Sequence, residues 1–197
     1  MDIKKILINL SEASGVSGYE HNVADYLEQN CPWADEIRRD KLGNLIMLKK
    51  ATRNTGAVNP KVMLAAHMDE IGLIVTKIEK EGFLRFSTIG GIDQRVLLAQ
   101  EVVVHGKQNL LGVIGAEPPH SQTADAQSRA VKMEDLYIDI GFDNAEQVQE
   151  LVSVGDLVTI NQSVVQLQGS MLAGKAMDDR ACVAIMLECF KELQNLT

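Results

Sequence analysis

Cysteine is scarce in this chain. Cys31, Cys182 and Cys189 are the only three in 197 residues, an odd number with no paired spacing. That excludes a disulfide framework and fits reduced thiols in a cytoplasm. An excess of basic residues is missing too, since the formal net charge is −8. Neither nucleic acid nor an anionic membrane surface is therefore expected as a main partner. No apolar run approaches the roughly 20 residues that span a bilayer. The start, Met1-Asp-Ile-Lys-Lys-Ile6, lacks a secretory leader's order of basic segment, long apolar core and small-residue cleavage site. What remains is 46% hydrophobic and 23% charged, an ordinary globular composition. The length suits one large domain or two small ones.

The stretch with the most chemistry is Lys61-Val-Met-Leu-Ala-Ala-His-Met-Asp-Glu70. The apolar run from Val62 to Ala66 follows Pro60 and predicts a buried strand of an α/β sheet. In a strand, residues i and i+2 face the same side, so His67 and Asp69 point together. They lie at the carboxyl end, where open α/β sheets place ligand sites. An imidazole there suits a transition metal, with the carboxylate fixing its tautomer. An equal reading is a histidine that only hydrogen-bonds an aspartate.

Around this stretch the pattern changes twice. Ile3, Ile6, Leu7 and Leu10 predict a helix over 3–13, and the Ser17-Gly-Tyr-Glu20 capping box opens a second, to about Asn30. Glu36–Asp40 and Asn44–Leu48 read as strands joined by a turn at Gly43, and 49–60 as a polar loop. After Asp69 the chain reads as short strands: 71–78, 83–88, 96–98, 101–105, 110–115, 136–140 and 155–160, with a helix at 144–152. That spacing predicts a small β-barrel or sandwich inserted in an α/β domain. Residues 117–130 read as a polar, mobile loop.

The last segment is Leu172-Ala-Gly-Lys-Ala-Met-Asp-Asp-Arg-Ala181. Asp178 and Asp179 sit at the first turn of a helix, where carboxylates suit the positive end. The run Ala181–Leu187 is apolar on every side and predicts a buried helix, with Cys182 and Cys189 in the core. On this pattern alone one aspartate caps the helix and the other pairs with Arg180. Combined with the His-x-Asp stretch, the same residues suggest a metal site that activates water. His21 reads as solvated and His105 as structural. Gly174-Lys175 lacks the rest of a phosphate loop.

Four motifs in order run along the whole chain: Ala65-Ala-His-Met-Asp-Glu-Ile-Gly72, Gly90-Gly-Ile92, Gly112-Val-Ile-Gly-Ala-Glu-Pro-Pro-His120 and Gly174-Lys-Ala-Met-Asp-Asp-Arg180. Together they resemble the tetrahedral metallo-aminopeptidases, the glutamyl- or deblocking-aminopeptidase family. The resemblance implies a partial zinc-peptidase-type α/β/α sandwich, at 1–69 and 166–197. It also implies an inserted all-β, PDZ-like dimerisation domain at 70–165. It makes His67 a ligand of the first metal, Asp69 a supporting catalytic aspartate, and Asp178 the bridge between two metals. Asp179 and Arg180 would support these from behind. The implied cofactors are two divalent ions, zinc or cobalt. The implied partners are peptide substrates and further copies of the chain, from dimers up to dodecamers.

The family pattern continues beyond the Asp-Asp-Arg helix with a Glu-Glu pair, an aspartate and a histidine that have no counterpart here. Glu188 and Glu192 are spaced i, i+4 and are not that pair. The chain is therefore expected to be the N-terminal portion of such an enzyme, inactive alone, with an exposed apolar patch on its final helix. Two other roles compete: a non-catalytic oligomerisation or peptide-binding fragment, and a glycosidase. The second needs two carboxyls roughly 5 to 9.5 Å apart across a sugar and calls for no histidine ligand.

Overall fold

The computed structural model describes residues 2–51, 61–118 and 131–194. The elements run α1 (Ile3–Glu12), α2 (His21–Asn30), β1 (Glu36–Arg39), β2 (Leu45–Leu48), β3 (Gly72–Ile78), β4 (Leu84–Ile89), β5 (Glu101–His105) and β6 (Asn109–Gly115). Then follow β7 (Tyr137–Asp139), α3 (Ala145–Gln149), β8 (Leu157–Ile160), β9 (Val165–Gln166), β10 (Leu172–Ala173) and α4 (Met177–Glu192). The chain divides into two compact units, Met1–Glu70 with Ser163–Thr197, and Ile71–Gln162.

The second unit is a closed antiparallel barrel in the order β3-β4-β7-β6-β5-β8. Alternation along each strand sends one set of side chains inward. Leu73 and Val75 of β3, Leu84 and Phe86 of β4, Val102 and Val104 of β5, Ile114 of β6, Ile138 of β7 and Val158 of β8 form the core. The register matches this set: Val75 faces Phe86, Val104 faces Val158, and Ile114 faces Ile138. Closure leaves no free sheet edge, which is how so small a β unit avoids open pairing. The alternation legible in the sequence therefore does specify this unit.

One predicted strand is absent. Residues 96–98 instead follow a 3-10 turn, Gln94–Val96, capped by the Asp93 carboxylate, which accepts the Arg95 N–H at 3.0 Å. Only Leu97 of that trio is buried; Val96 is 59% exposed. A lone inward side chain after an Asx cap fits a turn better than a ladder strand. His105 is structural, its Nδ1 and Nε2 each 2.9 Å from Asn109 Oδ1 and Thr159 Oγ1.

Gly106 marks the tightest approach in this unit. A Cβ there would lie 2.2 Å from the Leu151 carbonyl oxygen, which already accepts the Lys107 N–H at 2.8 Å. Gly106→Ala must therefore push backbone apart. We expect a loss of about 1–3 kcal/mol, read as faster amide exchange in β5 and β8.

In the first unit, α1 begins at Asp2, whose side chain accepts the Lys4 N–H at 2.9 Å. Its buried Ile6 and Leu10 pack with Val23, Leu27 and Cys31 of the α2 region and with Val183, Ala184 and Leu187 of α4. Burial raises the Cys31 thiol pKa above its ordinary value. β1 and β2 form an antiparallel pair closed by Asp40, whose carboxylate accepts the Leu42 and Asn44 N–H groups at 2.9 and 3.0 Å. β9 and β10 form a second pair that the sequence did not suggest.

Three expectations for this unit fail. The capping box does not form: Glu20 holds the N-cap position of α2 without a side-chain cap, and its carboxylate accepts the Gly18 N–H at 2.6 Å. The predicted buried strand at 62–66 is not a strand. Val62 is 83% and Met63 88% exposed, and among the described residues only Glu70 finds a strand-like partner, in a parallel bridge to Val16. The predicted all-round burial of α4 fails as well. Its buried stripe is Arg180, Val183, Ala184 and Leu187, while Ile185 is 53% exposed and Cys182 and Cys189 are exposed rather than in the core. The reason is shared. Apolar side chains declare what a segment needs covered, and only a neighbouring sheet or helix covers it. Among the described residues this unit has just two two-stranded pairs. The loop predicted at 49–60 lies outside the described residues from Thr52 on, as do His120 and most of 117–130.

Candidate functional site

The two charged stretches that flank the barrel in sequence belong to one unit, and they meet at His67. Its Nδ1 lies 3.0 Å from Asp69 Oδ1, and its Nε2 lies 3.2 Å from Asp178 Oδ1. The imidazole is thus held between two carboxylates that are 109 positions apart in the chain. Asp69 is fixed from its other oxygen, since the Ser17 hydroxyl donates to Oδ2. That bond is the main reason the Asp69 carboxyl is held below the usual carboxylate range. Desolvation is the largest single influence on His67 and opposes its charge. The Asp178 hydrogen bond and the charges of Asp69 and Asp178 together outweigh it and raise its pKa. Access is uneven: Asp178 is 97% exposed, His67 52% and Asp69 36%.

Asp178 reaches this place because the backbone at Asp178 and Asp179 is non-helical, ahead of the regular turns of α4. The Asp178–Asp179 peptide is cis. Neither aspartate caps the helix or pairs with Arg180, as the simpler reading of that turn required. Asp179 is turned towards Cys182, and its hydrogen bond raises that thiol's pKa. Arg180 is fully buried. Its Nη1 donates to the Leu10 carbonyl at 2.5 Å and the Ala13 carbonyl at 3.2 Å. Among the described residues its Nε and Nη2 have no hydrogen-bond partner. Burial lowers its pKa, against the charges of Glu70, Asp69 and Glu20.

Three residues that sequence reasoning passed over complete the surroundings. Glu70, 5% exposed, accepts Lys175 Nζ at 2.9 and 2.7 Å and the Gly15 N–H at 3.0 Å. Lys175 is therefore the counter-ion of a buried carboxylate. Ser17 binds Asp69 instead of capping a helix. No local pattern marks these pairs, because their partners lie 52 to 105 positions away.

With Nδ1 turned to Asp69, the His67 Nε2 is left to face Asp178, the orientation in which a histidine serves as a metal ligand. An imidazole nitrogen with a carboxylate oxygen is a donor pair suited to zinc, cobalt or manganese. Two donors are fewer than the four that a closed zinc site needs. Among the described residues no group of three or more His, Cys, Asp or Glu side chains converges on a metal position. The pair fits one side of a metal site.

Residues 43–197 match the family model described as M42 glutamyl aminopeptidase. The lysyl aminopeptidase of Pyrococcus furiosus is 36% identical over 199 residues, covering 97% of this chain and 54% of that protein. Among solved structures, the TET aminopeptidase of a marine sediment Thaumarchaeota archaeon superposes with a TM-score of 0.88 at 35% identity, over 98% of this chain and 54% of that one. The TET1 peptidase of Pyrococcus horikoshii, described as assembling into a tetrahedron or a large octahedral shell, gives 0.83 at 34% identity, over 97% and 56%. The chain spans about half the length of the relatives it matches.

Proposed function

Because this chain belongs to the M42 glutamyl aminopeptidase family, we propose that it forms one half of a two-metal aminopeptidase centre. The observation that carries this is His67 held between Asp69 and Asp178. In this reading His67 and Asp178 would be the residues that hold the ions, and Asp69 orients the imidazole. When bound, such ions activate water and polarise a peptide carbonyl. The chain's own residues hold the ligands in place: Ser17 on Asp69, and the buried Glu70–Lys175 pair beneath. The substrates are peptides with a free N-terminus. Among the described residues the donors stop at this pair, so in this reading these 197 residues alone do not turn over. The barrel unit serves as a PDZ-like dimerisation domain, and dimers build larger shells up to dodecamers. The exposed thiols of Cys182 and Cys189 suit a reducing cytoplasm.

Metal titration tests this reading. The chain should bind cobalt or zinc weakly, and His67→Ala and Asp178→Ala should each weaken binding by roughly tenfold or more, the scale of losing a ligand from an already incomplete set. It should release nothing from an aminoacyl anilide, with or without metal. Metal-dependent release by the chain alone would overturn the half-site.

The scarcity of donors also favours a second reading, a non-catalytic oligomerisation or peptide-binding role with a vestigial metal site. Dimers that survive chelators and Asp178→Ala, in a chain that binds no metal, would establish it. A glycosidase role requires sugar hydrolysis that chelators leave intact.

A further inference from the structure

Ser17 lies in a short loop, between α1 and α2, that is tied down from several directions. Glu70 N–H donates to the Gly15 carbonyl at 2.8 Å, and Gly15 N–H donates back to Glu70 Oε1 at 3.0 Å. Val16 and Glu70 form a parallel bridge. Lys175 holds the Glu70 carboxylate from the other side at 2.7 Å. Tyr19 N–H closes the loop on the Val16 carbonyl at 2.8 Å, and Arg180 Nη1 anchors the preceding carbonyls of Leu10 and Ala13. A side chain on Gly15 would meet Arg180 Nη2 and Val23 Cγ2, each at 2.8 Å, so the loop has no room to drift on that side. Residues 15–17 thus run beside residues 69–70 as a fixed pair of chains. The one hydroxyl in that pair of segments points at Asp69, one of the two carboxylates that touch His67.

The division of labour at Asp69 is specific. Oδ2 accepts from Ser17 and Oδ1 faces His67 Nδ1. With one oxygen engaged, the carboxylate cannot rotate without breaking that bond, and its free oxygen stays in line with the imidazole. A ring that donates from Nδ1 carries its lone pair on Nε2 when neutral. The bond to Ser17 therefore acts on the metal-facing nitrogen through two links. A water could replace a hydroxyl as donor to a carboxylate that is 36% exposed, but it would not be tethered to the Gly15–Glu70 clamp.

We propose that Ser17 is a positioning residue, whose hydroxyl locks the Asp69 carboxylate and thereby fixes His67 in the tautomer that presents Nε2 as a ligand. This rests on the metal-site reading above for its purpose, and on geometry alone for the lock itself.

The test compares the 197-residue chain with its Ser17→Ala and Ser17→Thr variants. Long-range proton–nitrogen correlation spectra of the four histidines, with His67→Asn assigning the resonance, report which ring nitrogen carries the proton. They are recorded without metal, at alkaline pH. The parent and Ser17→Thr should show His67 protonated at Nδ1. Ser17→Ala should shift both nitrogens towards the averaged values of a ring exchanging between tautomers, with its thermal unfolding little changed. Cobalt affinity should fall by roughly 10–100-fold in Ser17→Ala and recover in Ser17→Thr. An unchanged His67 nitrogen pattern in a folded Ser17→Ala chain overturns the proposal. A parent chain that binds no cobalt sinks the metal reading instead, and the metal-free spectra still decide for or against Ser17. Should Ser17→Ala not fold, a Ser17→Cys chain, which keeps the size but weakens the donor, is read in the same way.

Discussion

Replacing Arg180 by alanine should cost the first unit about 3–5 kcal/mol. The guanidinium is fully buried and is the donor for the Leu10 and Ala13 carbonyls at the end of α1. Without it the buried Leu10 acceptor loses its partner, at about 1–3 kcal/mol, the part-buried Ala13 acceptor loses its own at less, and the volume of a long side chain is left open. Part of this is offset. Arg180 itself keeps two nitrogens without partners, and burial already works against its charge. Arg180→Met, which fills the space without the charge, should therefore lose less than Arg180→Ala. Trp33, the only tryptophan, packs against this unit's core and reports its unfolding by fluorescence in urea. A midpoint for Arg180→Ala within experimental error of the parent would show that the carbonyls find other donors.

Lys175→Met should be comparably damaging, again about 3–5 kcal/mol. The change removes the counter-ion of Glu70, with side chains only 11% and 3% exposed, and among the described residues leaves the buried carboxylate the Gly15 N–H as hydrogen-bond donor and the Arg180 charge nearby. The double change Lys175→Met with Glu70→Leu removes both charges and should recover much of the loss, since a missing pair costs far less than a broken one. The same fluorescence transition reads both. Equal loss in single and double variants would mean that the lysine acts through packing alone. The effects of Lys175 and Arg180 should not add, because both brace the loop at Gly15.

Both expectations concern residues that the sequence displayed without explaining. Arg180 stood in a recognisable motif, but the pattern offered a neighbouring aspartate as its partner, and the fold gave it two carbonyls of α1. Glu70 closed the His-x-Asp stretch with no role assigned to it, and Lys175 was only a residue that failed to make a phosphate loop. Ser17 fitted a local capping box well enough to hide a partner 52 positions on. In each case a short-range rule was satisfied in form while a long-range contact of greater energy decided the outcome.

By itself, the sequence determined the helices α1 and α2, the β1–β2 pair and most strands of the barrel. These depend on side-chain alternation and turn residues that act over a few positions. That His67 and Asp69 would lie together was expected from a strand that the structure does not form, and their 3.0 Å contact is made from irregular backbone instead. Tertiary structure alone decided that Asp178 would close on the other side of the ring. It alone decided that Ser17 would hold Asp69, and that Glu70 and Lys175 would be buried together. It also decided that the apolar run at 62–66 would stand exposed, whereas the exposed apolar face of α4, with Ile185 at 53%, had been expected from the sequence. Burial and ion pairing require a second surface. Which surface arrives depends on contacts across most of the chain, and no window of sequence contains them.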